Sequence, residues 1–94
     1  MIAIQVLGHG WILVGHVRDD GRESGLIELG RPHVLRYWGT TKGLGELVAG
    51  PTEKTRVDPL PIDPHDRLLI PYRALQFALP VAEEPWSRLI GGAS

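Results

Sequence analysis

Cysteine is absent from this 94-residue chain. That excludes disulfide staples and thiolate metal centres, and it agrees with a reducing cytoplasm. A basic excess is absent too. The 10 Lys and Arg stand against 11 Asp and Glu, for a formal net charge of −1 and a pI near 6.4. Proteins that live on duplex DNA usually carry a positive face, so nucleic acid is not an expected partner. No apolar run approaches the ~20 residues a spanning helix needs, and no membrane association is expected. The segment from Met1 to Leu7 is apolar, but no positive stretch precedes it and no small-residue cleavage motif ends it, so it reads as a strand rather than a secretory leader. Catalytic apparatus is missing as well. There is no nucleophile elbow, and Ser24, Ser87 and Ser94 have no partner in sequence. His9, His16, His33 and His65 are scattered, without the close pair that a zinc site shows. The expectation is a soluble cytoplasmic protein that is not an enzyme, with no metal and no cofactor.

What is present is β-rich patterning. A chain of this length is one domain, read here as residues 1–90 with a frayed tail over 91–94. Its core is thin, because only about 60–65% of the unfolded surface is buried at this size. Self-association into a homo-oligomer is the remaining way to bury more. Ile2 to Leu7 and Trp11 to Val17 read as strands separated by a Gly8-His9-Gly10 turn. The second is apolar on both faces, and Gly15 within it signals a bend or a close backbone approach. Asp20-Gly21 marks a hairpin. Leu26 to Leu29 returns, Gly30-Arg31-Pro32 turns, and His33 to Trp38 is a further strand. Strict alternation there puts Val34, Arg36 and Trp38 on one face.

Between Gly39 and Gly50 the pattern changes. Thr40 or Thr41 can cap a short helix whose inner stripe is Leu44, Leu47 and Val48. Residues 52–66 form a stiff loop rich in Pro and Asp, with one edge strand around Thr55 to Val57. Asp58, Asp63, His65 and Asp66 in it read as turn chemistry. From Arg67 to Leu79 the chain is β again, and a phase switch at Pro71 implies a bulge or a break into two strands. Residues 82–90 suggest a final helical turn around Pro85-Trp86. The fold class expected is all-β: a small, strongly bent sheet or barrel of five to six strands with one short inserted helix.

The run Tyr37-Trp38-Gly39-Thr40-Thr41-Lys42-Gly43-Leu44-Gly45-Glu46-Leu47 resembles the signature of a family of small phage and prophage proteins of unassigned function. That signature runs aromatic-Trp, five residues, Leu, two residues, Leu, then Gly-Pro or Gly-Thr. Trp38, Leu44, Leu47 and Gly50-Pro51-Thr52 keep the spacing. Gly43 and Gly45 stand where many members have Ala, Ser or Gln. The resemblance implies a phage accessory protein acting in the cytoplasm of an infected bacterium, and it brings no catalytic residues with it.

The candidate ligand-binding residues gather around this run. Thr40, Thr41 and Lys42 offer hydroxyls, an ammonium and the amides of a helix start, which together suit a phosphate. The bland alternative is an ordinary capped helix. Tyr37 and Trp11 are candidate rings for stacking a nucleobase; Trp38 reads first as core and second as a stacking ring. Arg31, Arg36 and Arg73, within or beside strands, either snorkel to solvent or guard a binding face; Arg36 in addition either pairs with a phosphate bidentately or is solvated or salt-bridged. His9, between two glycines, is a candidate ligand contact. These features suggest a non-enzymatic protein that binds and sequesters a phosphate-bearing, nucleotide-derived immune signal. The alternative is a virion or assembly component acting through protein contacts.

Overall fold

The computed structural model describes residues 1–60 and 67–92. Asp63, His65, Asp66 and the last two residues of the expected tail therefore lie outside the described residues. Among the described residues six strands form one antiparallel sheet: β1 (Ile2–Leu7), β2 (Ile12–Asp19), β3 (Leu26–Tyr37), β4 (Arg56–Pro59), β5 (Arg67–Pro71) and β6 (Leu75–Val81), with one α-helix, α1 (Glu83–Ile90). The order is β4-β3-β2-β1-β6, and β5 also pairs with β3. β2 takes one edge of β3. The other edge is shared, with β5 on Leu26 to Gly30 and β4 on His33 to Tyr37.

This order forces the sheet to bend. β5 and β6 lie at opposite ends of a path four strand spacings long, roughly 19 Å across if flat. Yet only the 3-10 turn Tyr72–Ala74 joins Pro71 to Leu75, a reach of about 14 Å at most. Among the described residues no ladder closes the sheet, so the bent-sheet form of the expectation is the one described.

The bending sites are bulges in β3. Its pairing with β2 slips between His33 and Gly30. Arg31 occupies the slip with φ 47, the left-handed region that an ordinary side chain seldom adopts. The expected turn at Gly30-Arg31-Pro32 is thus a kink within one 12-residue strand. At the same site Gly15 of β2 approaches so closely that an added Cβ would lie 2.9 Å from the Gly30 carbonyl oxygen. A second slip, between Leu35 and Tyr37 against β4, makes Arg36 the extra residue and ends the expected alternation there.

The bent sheet buries both faces. Ile2 and Ile4 of β1, Val14 of β2, Leu35 of β3 and Val81 of β6 lie on one face. Leu47, Trp86 and Ile90 cover them. On the other face Leu7, Leu13, Ile27, Leu29, Val34 and Ile70 pack where β3 and β5 fold over β1 and β2. Adjacent Leu13 and Val14 serve different cores, which is why β2 shows no polar alternation. The Trp86 Nε1–H donates to the Leu47 carbonyl at 2.8 Å, tying α1 to the inserted segment. His16 Nε2 lies 2.8 Å from the Gly91 carbonyl oxygen and anchors the end of α1. No helix among the described residues is long and apolar enough to cross a membrane.

Candidate functional site

The expected helix over residues 39–50 is only a 3-10 segment, Leu44–Val48, and Gly43 precedes it with φ 103 and no side-chain cap. Gly43 and Gly45 weaken an α-helix by about 1 kcal/mol each, and the short segment is held by packing instead. Leu47 is fully buried and Leu44 packs against the core, while Val48 turns outward. Thr40 and Thr41 therefore do not cap a helix. The Thr41 and Lys42 amides are also spoken for: both donate to Glu46 Oε2, at 3.3 and 2.9 Å. Glu46 is an internal anion in the position where a phosphate was expected. Neither expected cap, Thr40 or Thr41, has a Glu three residues on, so no capping-box pattern announces this contact.

Six of the eight nominated residues nevertheless converge. Arg36, Tyr37, Trp38 and Thr40 line one open hollow of about 300 Å³. His9 and Trp11 line a second of the same volume, and Arg36 lines that one too. Trp11 follows the turn Gly8–Gly10, where His9 takes φ 63 between glycines. The Leu7 amide donates to the Trp11 carbonyl at 2.9 Å and fixes the turn. The rings are presented to solvent: Trp11 is 52% exposed, Tyr37 58% and Trp38 37%. The first reading of Trp38 as core is corrected, and the buried tryptophan is Trp86. β3 delivers Tyr37 at the end of its ladder with β4, opposite Arg56, and the bulge at Arg36 turns the arginine outward.

Arg36 Nε donates to Asp58 Oδ2 at 2.8 Å, with both side chains 61% exposed. The salt-bridged reading of Arg36 describes this state. A surface pair of this kind is worth about 0–1 kcal/mol and yields readily to a competing oxyanion. Arg73 lies apart from this cluster, beside Tyr72 and Pro71. Among the described residues no group of three or more His, Asp or Glu gathers in metal-binding proximity.

Two residues with no part in the nominated set hold this surface. Thr55 Oγ1 donates to the Trp38 carbonyl and Thr52 Oγ1 to the Gly39 carbonyl, each at 2.8 Å. No sequence pattern announces a hydroxyl-to-carbonyl bond across 13 to 17 residues. Comparison with protein-family models, curated proteins and solved structures finds no match to this chain.

Proposed function

We propose that this chain is a non-enzymatic phage accessory protein that captures and sequesters a phosphate-bearing, nucleotide-derived signal in the infected bacterium. The phage assignment rests on the resemblance carried by residues 37–51. The observation that carries the binding reading is the convergence of three solvent-facing aromatic rings, Trp11, Tyr37 and Trp38, on two hollows that share Arg36. Ring faces of this kind stack nucleobases with about 1–3 kcal/mol each. Arg36, exchanging Asp58 for a phosphate oxyanion, supplies charge and bidentate geometry. The Thr41 and Lys42 amides, on which the sequence reading leaned for the phosphate, are left out of this proposal, because Glu46 already occupies them.

Both hollows are open, whereas a well-bound small ligand has about 70–90% of its surface covered. A second copy of the chain, packed over the aromatic surface, would provide that cover, so the capturing species is a homo-oligomer. Calorimetry with cyclic mono- and dinucleotides and cyclic ADP-ribose-type molecules tests the reading. Saturable binding with recovery of unaltered ligand supports it, and silence across the panel removes it.

The same openness favours one other reading. Trp, Tyr and Arg are the residues that dominate protein-protein hot spots, so the surface also suits a virion or assembly partner. Presence of the chain in purified particles would support that role.

A further inference from the structure

We infer that Thr52 and Thr55 form a hydroxyl clasp that sets the course of the backbone at Trp38–Gly39, and so the orientation of Tyr37 and Trp38 in the aromatic surface. The inference deepens the binding reading above and rests on it for its functional consequence.

The β3–β4 ladder ends at the pair Tyr37 and Arg56. Past the end of β3, the next two carbonyls have no strand partner among the described residues. They are met by side chains: Thr55 Oγ1 donates to the Trp38 carbonyl and Thr52 Oγ1 to the Gly39 carbonyl, both at 2.8 Å. Each hydroxyl also accepts one amide. The Thr52 N–H donates to Thr55 Oγ1 at 2.8 Å, and the Lys54 N–H donates to Thr52 Oγ1 at 3.1 Å. Every hydroxyl proton is therefore used across the junction, and the acceptor side is used within the turn. Thr55 is 4% exposed, so a lost bond there is not replaced by water at low cost.

Gly39 completes the fit. It takes φ 69, and an added Cβ would lie 2.7 Å from both the Lys54 carbonyl carbon and Thr52 Oγ1. The chain at Gly39 thus lies directly on the 52–55 turn. The clasp matters because the rings it carries are poorly packed: Tyr37 is 58% exposed and Trp38 37%. Side chains with so little burial take their direction from the backbone beneath them. A fixed backbone removes part of the ordering entropy that ligand capture would otherwise have to overcome.

The test compares Thr55→Val, which keeps the shape and loses the hydroxyl, with Thr55→Ser, which keeps the hydroxyl. Amide relaxation in the ligand-free proteins reads backbone order at residues 37–39. The clasp predicts a fall in order parameter from about 0.85 to below about 0.6 in Thr55→Val, and restoration in Thr55→Ser. In parallel, the affinity for a cyclic dinucleotide, read by calorimetry, should weaken about tenfold in Thr55→Val and recover in Thr55→Ser. Unchanged order at 37–39 in a folded Thr55→Val protein overturns the clasp. Lost order with unchanged affinity overturns its role in positioning the rings. If the wild-type chain binds no nucleotide, the binding reading fails on its own, and the order parameters alone decide whether the clasp exists. Thr52→Val and Thr52→Ser repeat the comparison should Thr55→Val fail to fold.

Discussion

Trp86 and Tyr37 show how differently single side chains act in this molecule. Trp86 is fully buried and its indole N–H bonds the Leu47 carbonyl, so it joins helix, inserted segment and sheet at one point. Trp86→Ala should cost about 3–5 kcal/mol, and Trp86→Phe about 1–2 kcal/mol through the lost hydrogen bond. Urea denaturation reads both as a lower midpoint with little change in slope. Tyr37 projects into solvent. Tyr37→Ala should move stability by about 0.5 kcal/mol or less while weakening ligand capture by about 5- to 150-fold. Glu46 lies between these cases. Its carboxylate holds the Thr41 and Lys42 amides, and Glu46→Ala should lower stability by about 0.5–1 kcal/mol, in the range of a lost cap.

At the scale of elements, β3 organises the structure. Among the described residues it is the strand that pairs with three others, and the extra residues it carries at Arg31 and Arg36 allow one strand to serve both cores. The tight crossing at Gly15 sets a sharp expectation. Gly15→Ala drives a Cβ to 2.9 Å from a backbone oxygen that cannot step aside, and should destabilise by about 1–3 kcal/mol. Gly45→Ala is the converse, because nothing lies within 4 Å of the added Cβ and the unfolded chain loses freedom. It should stabilise by about 0.4–1 kcal/mol. Thermal melts of the two variants should therefore move in opposite directions.

These elements also show which features were legible in the sequence. β1, β2, the Asp20-Gly21 turn and the split at Pro71 were legible because each depends on neighbours within a few residues. The crossing at Gly15 was legible as a close approach, although its partner was not. Gly30-Arg31-Pro32 read as a turn because local chemistry cannot distinguish a reversal from a bulge; the ladder with β2 on both sides of it decides. The aromatic and arginine part of the site was visible in Trp11, Arg36, Tyr37 and Trp38. The Glu46 lock on the amides and the clasp from Thr52 and Thr55 were not, since both depend on where side chains fall after the chain has folded.

On the scale of the whole molecule, two thin cores lie on either side of one open sheet. Neither is large, and the aromatic surface is left at the β3–β4 end with hollows too open to enclose a ligand alone. A homo-oligomer is therefore expected at micromolar concentration by light scattering, tightened by ligand. In the proposed capture, the rings of Trp11, Tyr37 and Trp38 with Arg36 hold a phosphate-bearing nucleotide without altering it. The most direct measurement is a calorimetric titration of the cyclic nucleotide panel into wild-type, Trp11→Ala and Tyr37→Ala proteins, followed by mass analysis of the recovered ligand. Saturable binding to wild type, its weakening in both folded variants and recovery of intact ligand are predicted. Absence of binding, full affinity retained in both variants, or a chemically changed ligand would contradict the claim.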